Sequence, residues 1–209
     1  MLKPQYNINS HNSTETNYQG GLLPQRNQAG SFYFETSCRS NLSNFFLSSE
    51  NRRVLKKTDT FSCSTTPIKN FNYTPEIQKT IATWIRSLGW DFPISSVKTI
   101  FQHHIFNLIY TWTTIDGSIA AYSVCYFSPP SSGSVQISHI AYVFYDPQYS
   151  HSYLPIRLVL QVIIDSHQQG LNFCYLGRFS PPDQGFYKRT LPGFEYFHQG
   201  NWQKYNHCS

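Results

Sequence analysis

Apolar residues are spread unevenly along the 209-residue chain, and their spacing changes from helical to strand-like partway along it. Over residues 1–30, Asn, Gln, Ser, Thr and Gly dominate with no apolar period, which predicts an irregular segment. Ser31-Phe32-Tyr33-Phe34 predicts a short strand, and Asn44-Phe45-Phe46-Leu47 a second. Ser48-Ser49-Glu50 reads as a helix cap, placing Asn51 to Lys57 on a short helix, with a loop following through Thr66-Pro67. The clearest helix opens at Thr74-Pro75-Glu76, with Thr74 as N-cap, Pro75 in the first turn and Glu76 near the positive end. Ile77, Ile81, Trp84 and Ile85 recur at helical spacing, and Gly89 marks the end. Ser95 to His103 predicts another short helix.

From Asn107 the pattern becomes that of a sheet. Asn107 to Thr114 is a strand, Asp116-Gly117 a strong hairpin signal, and Ser118 to Phe127 the returning strand. A Pro/Ser/Gly loop over 129–134 leads to a third strand, Val135 to Tyr145, ended by Asp146-Pro147. Pro155 opens a helix through Gln168, with apolar residues at 156, 158–160 and 162–164, and Gly170 closes it. Asn172 to Leu176 is a buried strand, and Phe194 to Phe197, a Gln199-Gly200-Asn201 turn and Trp202 finish the pattern. A meander feeding a strand–helix–strand unit predicts an α+β fold, a mixed sheet flanked by helices. Open α/β sheets bind ligands outside the carboxyl ends of strands that part. The groups following Tyr145 and Tyr175-Leu176-Gly177 are therefore the candidates.

Composition changes this picture little. Aromatic residues make up 17% and charged residues only 13%, so core material is plentiful and polarity comes mainly from Ser, Asn, Gln and Thr. A net charge of +5 suits an anionic partner without requiring one. Cys38, Cys63, Cys125, Cys174 and Cys208 are scattered with no C-x-x-C, which fits a reducing compartment and lacks zinc spacing. With no apolar run near the roughly 20 residues of a membrane span and no apolar leader after Met1, a cytoplasmic protein is expected.

Three groups have chemical leverage. Asp146 ends a strand, where it can either cap a turn or orient and deprotonate an incoming amine. An α-amine titrates near about 7.7–8.0, so a modest base suffices. Arg52, Arg53, Lys56 and Lys57 stack at i, i+4 on one helix, a repulsive arrangement that phosphates would relieve and that a solvated face would tolerate. Tyr187-Lys188-Arg189 forms a second basic patch with an aromatic neighbour. His103 and His104 are adjacent and lack metal spacing, and Cys174 reads as a core residue.

The element order is that of the Gcn5-related N-acyltransferase fold, in which an acyl carbonyl lies between two parallel strands that splay and expose backbone N–H groups. Members that use coenzyme A cradle its pyrophosphate at a helix N-terminus with a Gln/Arg-x-x-Gly-x-Gly/Ala loop. The matching loop here, Gln148-Tyr149-Ser150-His151-Ser152-Tyr153-Leu154, holds no glycine, which argues against an acetyl-CoA enzyme. Phe144-Tyr145-Asp146-Pro147, Ser152, Tyr175-Leu176-Gly177, Phe186-Tyr187-Lys188 and Gly200-Asn201-Trp202 resemble, in order, the C-terminal domain of arginyl-tRNA–protein transferases, shared by the bacterial leucyltransferases of the N-degron pathway. Asp116-Gly117-Ser118-Ile119-Ala120-Ala121, the Phe46 to Leu55 segment and Gly30-Ser31-Phe32-Tyr33 extend the resemblance over most of residues 20–204.

The resemblance implies an irregular segment at 1–30, a reduced N-terminal region at 31–70 carrying the basic RRVLKK run, an acyltransferase-like domain at 71–204 and a tail at 205–209. It implies transfer of arginine or leucine from aminoacyl-tRNA to the α-amine of a protein or peptide with an acidic N-terminus, with no membrane partner. Asp146 and Tyr145 would be catalytic. Tyr187, Ser152, Gly177 and Tyr175 would bind substrate, and Arg52, Arg53, Lys56, Lys57, Lys188 and Arg189 would bind tRNA. The family's cysteine set is reduced to Cys38, with Asn41 where another would fall, so no iron–sulfur cluster, metal or other cofactor is expected. Two other readings stay open: an N-acyltransferase of the same fold using acyl-CoA or another acceptor, and a non-catalytic tRNA- or protein-binding relative.

Overall fold

The computed structural model describes residues 6–7, 12–26, 28, 30–102, 105–130, 135–179 and 186–205. His103, His104, residues 131–134 and Cys208 lie outside the described residues. In chain order the elements begin with β1 (Tyr6–Asn7), α1 (Thr14–Gln19), β2 (Leu22–Pro24), β3 (Phe32–Phe34), β4 (Ser37–Asn41) and α2 (Ser49–Lys57). Then come β5 (Ser62–Pro67), α3 (Pro75–Ser87), α4 (Ser95–Phe101), β6 (Leu108–Thr113), β7 (Ile119–Phe127) and β8 (Ile137–Tyr145). The chain closes with α5 (Leu154–Gln168), β9 (Phe173–Arg178), a 3-10 turn at Phe186–Thr190, β10 (Phe194–His198) and β11 (Asn201–Lys204).

An eight-stranded sheet runs β11-β10-β4-β9-β8-β7-β6-β5, and β1, β3 and β2 make a small second sheet. β8 and β9 run parallel, joined by the crossover helix α5, and the other ladders are antiparallel. One face is covered by α2 and α5, where Val54, Leu158, Val162 and Ile163 pack on Trp112, Cys125, Ile140 and Cys174. The other face carries α3, α4 and the small sheet, with Ile81, Trp84, Ile100, Tyr18 and Phe32 packed on Ile109, Tyr122, Phe144 and Tyr175. Both faces being covered explains why β7 is buried almost throughout.

Local signals set several boundaries. Thr74 Oγ1 accepts the Ile77 N–H and Pro75 starts α3. Ser48 and Asn51 form a reciprocal capping box on α2. Three expectations fail. Irregular chain to residue 30 does not hold over the described residues: Ser13 caps α1, and Tyr18 is fully buried. Asn44 to Leu47 is no strand; Phe45 leaves a 3-10 turn to stack on His167 at 4.1 Å. Two polar segments without an apolar pattern are strands, β4 in the sheet interior and β5 at its exposed edge. The 31–70 region is therefore woven into the main sheet and does not stand before it.

Candidate functional site

The site begins where β8 and β9 part. Their ladder pairs Ile137 with Phe173, Ser138 with Cys174 and His139 with Tyr175, and goes no further. β8 continues to Tyr145 against β7, while β9 continues to Arg178 against β4. Immediately past the last pair, each strand carries a bulge: Val124 and Cys125 pair with Tyr142 and Ile140 and skip Ala141, and Cys38 and Arg39 pair with Gly177 and Tyr175 and skip Leu176. A bulge bends its strand and increases the local twist, so two bulges at one level turn the strands apart. Gly177 sits at φ +77°, in the left-handed region that a side chain disfavours. The result is a wedge bounded by Ile140–Tyr145 and Leu176–Arg178.

On the β9 side, Lys188 Nζ donates to the Leu176 and Arg178 carbonyls, both at 2.7 Å. The ammonium thus takes the place of a strand partner, and burial lowers its pKa. Cys38 Sγ lies 3.4 Å from the Gly177 carbonyl oxygen. Burial pushes that thiol up to about 11 against the opposing influence of Lys188, so it is a protonated thiol at neutral pH. Tyr187 packs beside this group; burial, with Cys38 and Tyr145 as electrostatic neighbours, holds its phenol well above the ordinary range. Tyr145 lies edge-on to Trp90 at 5.4 Å.

Tyr145 and Tyr187 are thus neighbours beside the parted strands, with Gly177 on the β9 side, while other expected residues lie in different roles. Asp146 caps the turn after β8: its Oδ1 accepts the Gln148 N–H at 3.0 Å and its own N–H donates to Ala120 O. It is an electrostatic neighbour of Tyr149 together with Asp116, which puts it on the hairpin side of the strand end. Ser152 is a local cap, donating to Tyr149 O and accepting the Leu154 N–H. Tyr175 is fully buried, its hydroxyl 3.4 Å from Arg39 Nη1. Lys188, expected at phosphate, is committed to backbone carbonyls, and Arg189 lies 4.2 Å over the Tyr205 ring.

The four cations of α2, Arg52, Arg53, Lys56 and Lys57, are all exposed. Arg53 meets Glu50 at 3.7 Å and lies 5.5 Å over Tyr153 at the start of α5. Asn51 Nδ2 donates to Thr190 O, tying α2 to the turn that carries Tyr187 and Lys188. The helix is thereby fixed to the segment that borders the wedge.

Sequence reasoning missed two buried polar groups. Arg39 bonds Glu195 through Nε and Nη2, both at 2.9 Å, between the rings of Phe173 and Trp202. Asn41 Nδ2 supplies Glu195 with a further donor, so the pair rivets β4 to β10. The second is His139, 4% exposed, with Nδ1 2.6 Å from the Tyr18 hydroxyl. Its one signal in the sequence is a histidine inside a strand that is mostly apolar and aromatic. Among the described residues no cluster of three or more His, Cys, Asp or Glu side chains could hold a metal, and no helix is long and apolar enough to cross a membrane.

No family model and no curated protein matches the chain. Among solved structures it is similar to the C-terminal domain of a protein assigned as a lysylphosphatidylglycerol synthetase from Agrobacterium fabrum, at 13% identity and TM-score 0.48 over 72% of this chain and 48% of that one. It is similar to L-PGS from Bacillus licheniformis at 13% identity and TM-score 0.47, over 73% and 49%. It is also similar to an aminoglycoside acetyltransferase from an uncultured soil metagenomic sample, at 11% identity and TM-score 0.44, over 64% and 89%. The chain spans about half the length of the first two. The protein has an α+β fold: a mixed eight-stranded sheet with a parallel, divergent β8–β9 pair and helices on both faces.

Proposed function

We propose that this chain is an aminoacyltransferase that moves an amino acid, arginine or leucine, from aminoacyl-tRNA to the N-terminal amine of a protein or peptide. The observation that carries the reading is the wedge. Among the described residues, β8 from Ile140 to Tyr145 has no strand partner on its β9 side, so its edge can receive an ester carbonyl. The attacking amine adds to the carbonyl carbon, and the 3′ oxygen of the tRNA leaves. Tyr145 and Tyr187 line the approach, and the α2 cations face solvent nearby, where a tRNA backbone would pass.

The connection between β8 and α5 favours an aminoacyl-tRNA over an acyl-CoA donor. Its N–H groups are already used locally: Gln148 to Asp146 Oδ1, Ser150 to Pro147 O, Ser152 to Tyr149 O and Leu154 to Ser152 Oγ. Few remain to cradle a pyrophosphate. Asp146 serves that connection, and an amine that is partly free base at neutral pH needs no strong base.

The test is incubation with labelled arginyl- and leucyl-tRNA and a peptide with an acidic N-terminus, beside an acetyl-CoA arm. Label appearing on the peptide N-terminus from aminoacyl-tRNA supports the reading. Transfer from acetyl-CoA alone, or tRNA binding with no transfer from any donor, replaces it with the acyl-CoA or the non-catalytic alternative.

A further inference from the structure

At the level where β8 and β9 part, a buried side chain is left with an unused hydrogen-bonding group. His139 is the last β8 residue paired to β9, and it is 4% exposed. Its Nδ1 meets the Tyr18 hydroxyl at 2.6 Å, while Nε2 has no hydrogen-bond partner among the described residues. The surroundings are Tyr18 at 5.1 Å between ring centroids, Phe106 at 6.2 Å and the backbone of Gly177. A Cβ built on Gly177 would lie 3.9 Å from Nε2 and within 4 Å of nothing else outside its chain neighbours. The unpartnered nitrogen thus faces the Gly177 backbone across ordinary contact distance, just beyond the last strand pair.

Burial raises the Tyr18 phenol well above its ordinary range, so the hydroxyl keeps its hydrogen and has it available to donate to Nδ1. Burial, and secondarily the Lys188 charge, push His139 down to about 3, so the ring is neutral at any working pH. A neutral imidazole whose Nδ1 accepts carries its hydrogen on Nε2. With Tyr18 as the donor, the wedge contains a neutral N–H donor, fixed in direction by Tyr18 and desolvated before any ligand arrives.

We propose that His139 Nε2–H donates a hydrogen bond to the carbonyl oxygen of the donor ester and holds the oxyanion formed when the acceptor amine attacks. The inference rests on the aminoacyl-transfer reading of the same wedge. The amine nitrogen bonds to the carbonyl carbon and the C=O electron pair moves onto oxygen. Collapse restores C=O and breaks the bond to the tRNA 3′ oxygen, which departs with the proton released by the amine. His139 gains and loses no proton; it donates one hydrogen bond that strengthens as charge develops. Tyr18 is a positioning residue that selects the tautomer.

The experiment has two arms. In the first, kcat and KM for transfer are measured for wild type, His139→Leu, His139→Gln and Tyr18→Phe, each checked for folding by circular dichroism. His139→Leu is expected to lose about 100- to 1,000-fold in kcat with KM little changed, the loss typical of one oxyanion donor. His139→Gln, whose amide can present N–H near the Nε2 position, is expected to recover part of it. In the second arm, 15N NMR of the histidine ring reads the tautomer without activity. The Nε2–H form is expected in wild type, with a shift on adding an unreactive amide analogue of aminoacyl-adenosine. A folded His139→Leu with wild-type kcat, or an Nδ1–H ring, overturns this inference and leaves the transfer reading standing. A wild type that transfers from no aminoacyl-tRNA overturns both.

Discussion

Lys188→Met tests whether the wedge is held as described. The ammonium now satisfies two β9 carbonyls that the departure of β8 leaves without a ladder partner. Methionine has similar reach and no donor. The Leu176 bond is part-buried, and losing a charge-assisted bond to a buried carbonyl costs about 1.5–3 kcal/mol. The Arg178 bond is exposed, so water can replace it at a cost of about 0.5 kcal/mol. Relief of the partly desolvated charge offsets part of this, leaving a net loss of about 1–2.5 kcal/mol. For a chain of this size that is a fall of about 2–10 °C in Tm. Stability is read by urea unfolding followed by circular dichroism, with Lys56→Met on the exposed face as control.

A pH signature accompanies it. Burial lowers the folded-state pKa of Lys188 below its ordinary 10.5, so between the two values the unfolded chain binds more protons. The ionisation-linked part of this residue's contribution is greatest above pH 10.5 and falls by a bounded amount as pH falls through the lowered value. Wild-type stability should carry that alkaline rise relative to Lys188→Met. A variant as stable as wild type, with the same pH profile, would refute the claim that Lys188 substitutes for a strand.

Other outcomes follow from the same structure. An Arg52→Gln/Arg53→Gln double variant should reduce the slope of log Kd for tRNA against log salt by about 1–2, roughly 0.7–0.9 for each phosphate no longer neutralised, with little change in Tm. Asp146→Asn keeps an Oδ1 acceptor for the Gln148 N–H, so melting temperature should hold and transfer should escape the roughly 100- to 10,000-fold loss that follows removal of a general base. A loss of that size would restore Asp146 to the chemistry. Arg39→Met leaves Glu195 buried without its charge partner and should cost about 3–5 kcal/mol by denaturant unfolding, whereas Arg39→Met with Glu195→Leu should recover most of it.

Much of the frame follows from the chain's own pattern. Thr74-Pro75 and the Ile77, Ile81, Trp84, Ile85 spacing define α3, because caps and amphipathic period act within one turn or two. Asp116-Gly117 announces the β6–β7 hairpin, with Gly117 at φ +84° closing a loop to the Thr114 carbonyl. The strand–helix–strand order of β8, α5 and β9 follows from an apolar run, a helical run and another apolar run. What the sequence concealed was polar and distant. β4 sits mid-sheet as Ser37-Cys38-Arg39-Ser40-Asn41 because Ser37 and Ser40 donate to the Gly21 and Pro192 carbonyls, and Arg39 finds Glu195. Those partners lie up to 156 residues away, and no local period encodes them.

The wedge divides in the same way. Its tyrosines and glycine stand in motifs that can be read in order along the chain. Its opening depends on two bulges, one on each strand, and its buried donor on a contact between Tyr18 and His139 across 121 residues. Local sequence determined which segments would be strands and helices, since hydrogen-bonded turns and apolar faces are short-range properties. Tertiary packing decided which polar atoms were left without partners where β8 and β9 separate, because satisfaction of a buried group depends on every neighbour the fold brings to it.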